Sequence, residues 1–441
     1  MKRVFSPLDE ELALLPGSLT PGLVESVVRL GTWMPFPIAA KMLAYFTKVD
    51  VSEPSERRVT QKAGQAYVEI QTAQVQALER ELPDAPEGPP VQQVSVDGAM
   101  VPLIHKEWAE VKTLAIGTVG EPVLEKGEWE VHTTDVSYFS RLADHETFAR
   151  LATVETHRRG TENAGLVCAV VDGADWEQKF IDLHCPNAVR ILDWGHAAEY
   201  VAKAAQAAYG PGTAATSQWL EIQLHELKHG DPQNVLGKLR GLRDELAAQV
   251  EAGGTSQALE TVRGSLEYLE KRQEQIRYAE FVAAGYPIGS GMVESANKLV
   301  VEARLKGSGM HWAREHVDPM VALRTIACSD RWEEAWPQIC ERLRQERVDR
   351  AEQRQAGRKK SEHMAEEPPV LAELEAAATA SVPEGPEGLE TAEVNSKPAE
   401  EENKLAKGPW RPPANHIWRR MQIGRARFKR TPSAAGVGAE T

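Results

Sequence analysis

The chain is short of cysteine: only Cys168, Cys185, Cys328 and Cys340 occur in 441 residues, and no two form a CxxC pair. That spacing gives neither a zinc signature nor a disulfide framework, so the four read as buried or free thiols of a reducing compartment. No run of about 18 consecutive apolar residues is present, which argues against a membrane-spanning helix. The segment from Met1 to Glu10 has no apolar signal-peptide core, and a cytoplasmic location is expected. A convincing Ser, Tyr or Cys nucleophile motif is also missing, which is consistent with chemistry that needs no covalent intermediate. Positive charge is scarce, with 51 Lys and Arg against 65 Asp and Glu and a net charge of −14. An acidic chain has no general attraction for a polyanion, so nucleic-acid contact would have to come from local basic surfaces. The length suffices for two or three domains, and 42% hydrophobic residues support a real core.

What the chain does have is three acidic residues in informative settings. Asp97 ends the apolar run Val94-Ser95-Val96 and precedes Gly98, while Asp172 ends the run from Leu166 to Val171 and precedes Gly173. Glu294 lies in the first turn of an expected helix after Gly289-Ser290-Gly291. Asp-Gly after a strand is a common turn signal, and a glutamate in a first helical turn can simply complement the helix dipole. Jointly, two strand-end aspartates and one helical glutamate can hold a pair of Mg²⁺ ions and drive phosphodiester chemistry, with Mn²⁺ able to substitute.

Residues 1–90 read as helical and end in a linker containing Pro83, Pro86, Pro89 and Pro90. Pro37 to Thr47 has helical apolar spacing, and Ser52 is a good N-cap for a second helix carrying Arg57, Arg58 and Lys62. Two short helices, the second polar and basic, fit a helix-turn-helix in which those three cations meet DNA; an ordinary helical hairpin fits the spacing too. Residues 91–210 alternate in the order βββαβαβα, with strands at 92–102, 110–119, 128–140, 166–171 and 188–192. Three sequential strands suit an antiparallel meander, and the later units need parallel crossovers. This is the order of a ribonuclease-H-like sheet, in which the first and fourth strands adjoin and bring Asp97 to Asp172. An all-helical insertion over 213–284 follows, with helices expected at 216–228, 234–252 and 256–282; a coiled-coil spacer is the plainer reading of the last. Beyond an expected ribonuclease-H-like catalytic domain at 91–340, 341–361 reads as a basic charged helix. The stretch 362–402, with twelve acidic residues and one lysine, reads as a disordered linker, and 403–441 as a basic tail interleaved with Trp410, Trp418 and Phe428.

Several motifs together resemble the bacterial insertion-sequence transposases of the DDE superfamily, in particular the Kra-type insertion-sequence family and, more distantly, Mutator-like transposases. They are Val94-Ser95-Val96-Asp97-Gly98-Ala99, Val170-Val171-Asp172-Gly173-Ala174-Asp175-Trp176 and Leu192-Asp193-Trp194-Gly195-His196. Further on come Gly289-Ser290-Gly291-Met292-Val293-Glu294-Ser295 and Arg304-Leu305-Lys306-Gly307-Ser308-Gly309-Met310-His311-Trp312. The resemblance runs over about residues 5–340.

It implies an α/β protein: a ribonuclease-H-like mixed five-stranded sheet with a helical insertion, an N-terminal helix-turn-helix-like region and a disordered tail. It implies a transposase that binds terminal inverted repeats and performs Mg²⁺-dependent strand cleavage and strand transfer. Asp97, Asp172 and Glu294 would be the catalytic metal ligands, holding two Mg²⁺ ions. Asp193 and His196 match a (Cys/Asp)-x-x-His motif with a supporting role, and Asp193, which also ends a strand, is the rival for the second ligand position. Lys298, Arg304 and Lys306 would neutralise phosphates near the cut. The implied partners are double-stranded DNA, as element ends and target, and a second copy of the chain to pair two ends. The implied setting is the bacterial cytoplasm, at the nucleoid. The alternatives are another ribonuclease-H-like nuclease, such as a junction resolvase, and a domesticated regulator that binds DNA without cutting it.

Overall fold

The structure is a computed structural model that describes residues 15, 19–81, 83–125 and 128–366. Strand β1 (Val91–Pro102) pairs antiparallel with β2 (Trp108–Val119). After the small hairpin β3 (Val123–Glu125) and β4 (Glu128–Glu130), strand β5 (Thr133–Arg141) pairs antiparallel with β2. Helix α1 (His145–Arg158) leads to β6 (Leu166–Val171), α2 (Asp175–His184), β7 (Val189–Leu192) and α3 (Trp194–Tyr209). Strands β6 and β7 add in parallel, giving the mixed five-stranded order β5-β2-β1-β6-β7. The expected adjacency of the first strand and the 166–171 strand therefore holds. The single strand expected over 128–140 is divided instead, because Glu128–Glu130 pairs back onto β3 and only Thr133–Arg141 reaches the main sheet.

Both faces of the sheet are covered, and β6 shows how. Val167, Ala169 and Val171 join a core with Phe139, Phe148 and Phe180, while Cys168 and Val170 join one built with the insertion. The continuous apolar run is what a strand buried on both sides requires. Burial pushes the thiols of Cys168 and Cys185 up to about 12, and all four cysteines are free.

The insertion comprises α4 (Ala214–His229), α5 (Pro232–Glu251), α6 (Gln257–Glu270) and the short α7 (Tyr278–Ala283). Leu227, Leu236, Leu239, Leu266 and Leu269 seat it against Val201 and Ala204 of α3 and against β6 and β7. The one helix expected over 256–282 breaks after Glu270, where Arg272 leaves helical geometry (φ −118°, ψ 23°).

Before the sheet, α8 (Pro21–Trp33), α9 (Phe36–Thr47) and α10 (Glu53–Glu81) form an N-terminal helical group. The last of these spans 29 residues, longer than the short helix expected, since no proline interrupts it after its first turn. Beyond the insertion, α11 (Gly291–Ala296) continues through a π-helical segment (Asn297–Glu302) into α12 (Ala303–Leu305). Helices α13 (Val317–Cys328) and α14 (Trp332–Glu366) complete the described chain. Val28, Ala63 and Tyr67 of the N-terminal helices share a core with Leu323, Ile326, Trp332 and Ile339 of these two. No described helix is long and apolar enough to cross a membrane. Residues 367–402 of the expected acidic linker and the basic aromatic tail at 403–441 lie outside the described residues.

Candidate active site

The parallel pairing of β1 with β6 matches Val91 to Leu166 and Val94 to Ala169. Carried three residues further, the same register faces Asp97 with Asp172. Helix α11 reaches them because Val293 and Ala296 pack on Ala115 of β2, which seats Glu294 above the same end of the sheet. A cavity of about 660 Å³ opens there, lined by Asp97, Asp172, Glu177, His196, Tyr268 and Arg272 among others.

The carboxylates are close enough to resist one another's ionisation. Burial pushes Asp172 up to about 7, and the charges of Asp97, Asp193 and Glu294 push in the same direction, against the pull of His196. His196 Nδ1 stands 3.4 Å from Asp172 Oδ2. Asp97 is also raised, chiefly by burial, although Oδ1 accepts from Gly98 N at 2.6 Å and Oδ2 from Asn297 Nδ2 at 2.7 Å. Burial and then Asp193 raise Glu294, while Lys298 lowers it. A site in which burial and neighbouring charge oppose the ionisation of several acids is one that a hard divalent cation relieves, and carboxylate oxygens are the donors Mg²⁺ and Mn²⁺ prefer.

A potential ligand set that the structure does bring together differs from the expected trio. Ligand atoms of Asp172, Asp193 and His196 lie within 4.8 Å of one another. Asp97 and Glu294 stand outside that set: Asp97 is turned toward Gly98 and Asn297, and Glu294 toward Lys298, 3.8 Å away. Asp193 is close but committed. Its Oδ2 accepts from His196 N at 2.8 Å as the N-cap of α3, and its Oδ1 accepts from Ser290 N at 2.6 Å. It braces two elements of the site, whereas the Asp172 carboxylate faces the cavity.

Sequence reasoning missed Glu177 and Asn297. Glu177 is buried, pushed up to about 8 by burial and by Asp172, and its Oε2 accepts from Ala174 N at 2.9 Å. Its signal was the third position of a helix, where a glutamate reaches back to the N-cap backbone. Asn297 was legible as the residue one turn beyond Glu294 on the same helix face.

The expected DNA-contacting cations divide. Arg57 and Arg58 are exposed on α10 and border a groove with Lys62, which lies 3.5 Å from Glu346. Lys298 is exposed beside Glu294, and Lys306 is paired with Glu302 at 2.7 Å. Arg304 is a correction. It is 1% exposed, its Nε donates to Gly31 O at 3.0 Å, and its guanidinium lies over the rings of Phe36 and Trp312. A cation enclosed by aromatic rings and the N-terminal helices presents nothing to a phosphate in solvent.

No protein-family model and no curated protein matches this chain.

Proposed function

We propose that the chain is a DDE-type insertion-sequence transposase with a ribonuclease-H-like catalytic fold, acting on double-stranded DNA at the ends of its element. The observation that carries this reading is the convergence of Asp97 and Asp172 from adjacent parallel strands, with Glu294 near enough for its charge and that of Asp97 to raise Asp172. The motif set resembling Kra-type transposases, in which the same three acids stand, also supports it.

Asp97, Asp172 and Glu294 would hold the divalent ions, Mg²⁺ or Mn²⁺. When bound, such ions supply Lewis acidity at the scissile phosphate and lower the pKa of coordinated water. The protein's own residues do the rest. Asn297 and Gly98 fix the Asp97 carboxylate, His196 favours the ionised form of Asp172, and Asp193 ties the start of α3 to the loop before α11. Lys298, exposed one turn from Glu294, can neutralise a phosphate oxygen at the cut. Hydrolysis leaves a 3′-hydroxyl at each element end, and that hydroxyl attacks a target phosphodiester and expels a target 3′-oxygen. Pairing two ends calls for at least a dimer on DNA, and this work would take place at the bacterial nucleoid.

The test is cleavage of labelled duplexes carrying the element ends, in Mg²⁺, Mn²⁺ or Ca²⁺. Asp97→Ala, Asp172→Ala and Glu294→Gln should each abolish strand cleavage while end binding persists. Normal cleavage by the Asp172 variant would transfer the ligand role to Asp193, and normal cleavage by all three would end the reading.

A further inference from the structure

Strand β6 ends at Val171, whose carbonyl accepts from Asp193 N at 2.8 Å. The next two carbonyls, of Asp172 and Gly173, lie beyond the sheet and need donors from elsewhere. Both donors come from the end of the helical insertion. Tyr268 on α6 donates its hydroxyl to the Asp172 carbonyl, and Arg272 just past α6 donates from Nε to the Gly173 carbonyl at 3.2 Å and from Nη2 to the same oxygen.

These two residues are themselves held. The Arg272 guanidinium lies 3.7 Å from the Tyr268 ring centre, and Tyr268 stacks on Tyr200 of α3 at 3.8 Å with 9° between planes. Tyr200 sits one turn beyond His196 on that helix. The column thus joins the insertion, the Asp172 turn and the His196 helix. Gly173 shows how close the approach is: an added Cβ would fall 2.4 Å from Arg272 Nε and 3.0 Å from the Tyr268 hydroxyl, and its φ of +83° independently favours glycine. Arg272 is only 8% exposed, so its charge is committed to this turn.

We propose that Tyr268 and Arg272 are positioning residues that fix the peptide after Asp172 and so aim its carboxylate into the cavity. The insertion is then a working part of the site and more than a spacer. This inference rests on the metal-dependent reading of the site, because it concerns how a ligand is aimed.

The test uses the full chain without DNA and reads Mn²⁺ binding by electron paramagnetic resonance, with far-ultraviolet circular dichroism as a check on folding. Asp172→Asn is the reference that should lose a bound ion. Tyr268→Phe keeps the ring stack and removes only the hydroxyl, so it isolates the bond without endangering the fold. Arg272→Ala should weaken Mn²⁺ binding roughly 10–100-fold, as loss of an outer partner of a metal ligand does, with Tyr268→Phe weaker in the same direction and Arg272→Lys partly restored. If Asp172→Asn loses the ion while Tyr268→Phe and Arg272→Ala bind within twofold of the unaltered protein, the positioning role is wrong and the metal reading stands. If Asp172→Asn binds Mn²⁺ as before, both fall together.

Discussion

The side-chain amide of Asn297 donates to Oδ2 of Asp97 at 2.7 Å, joining residues 200 positions apart. Asn297 opens the π-helical segment that follows α11, a local distortion often found at functional sites. Because Asn297 lies one turn past Glu294, the same helix that would bring one ligand also orients another. Asn297→Ala should slow Mg²⁺-dependent strand cleavage by roughly 10–100-fold without loss of end binding. Single-turnover kinetics on a pre-cut end would check this, and an unaltered rate would show that Asp97 needs no such hold.

Asp172 binds its proton more tightly in the folded chain than at the ordinary value of 3.8, its midpoint being pushed up to about 7. Ionising it therefore costs folding free energy as pH rises from about 4 through about 7, and stability falls over that window. Glu177, raised to about 8, acts in the same direction. In chelator, calorimetry should show the thermal midpoint dropping as pH rises through that range. Asp172→Asn should reduce the drop and raise the midpoint at pH 8 by about 2–4 °C, the size of a kilocalorie-scale relief. Mg²⁺ should recover the midpoint at pH 8 in the unaltered protein and not in the variant. A midpoint insensitive to both pH and substitution would mean that burial and neighbouring charge do not raise Asp172.

Asp193 differs from Asp172 in what its oxygens do, since both accept backbone N–H groups, from His196 and from Ser290. Asp193→Ala removes the cap of α3 and leaves buried donors without their acceptor, a loss of about 1–3 kcal/mol. Asp172→Ala should cost far less, or stabilise the metal-free chain. Urea unfolding of the two variants separates a brace from a ligand, and equal stabilities would contradict the division of roles drawn here.

Arg304 and Lys298 make a second contrasting pair. Replacing the enclosed Arg304 by Ala deletes its bond to Gly31 and its contacts with Phe36 and Trp312. It also removes a cation that draws the Glu56 carboxyl down. A destabilisation of roughly 1–3 kcal/mol is expected, the usual cost of leaving a buried acceptor without its donor. Lys298→Ala should leave stability unchanged and reduce the salt dependence of DNA binding by about one phosphate contact. Chemical denaturation and binding isotherms at several salt concentrations test both halves.

The amino-acid sequence alone determined the strands at 166–171 and 92–102, the helix from Trp194 to Tyr209, and the strand order that brings Asp97 to Asp172. The strands and the helix follow from apolar spacing and turn residues, which act over a few positions. The strand order is an expectation from the likeness of that succession of elements to a known sheet pattern, and the pairing of β1 with β6 bears it out. Tertiary structure decided the remainder. It committed Asp193 to Ser290, buried Arg304 under Phe36, and broke the third insertion helix where Arg272 turns to the Gly173 carbonyl. In each case the deciding partner is distant in sequence. A side chain's charge and length are local properties, but whether it faces solvent, a metal or a backbone carbonyl depends on what the folded chain places beside it.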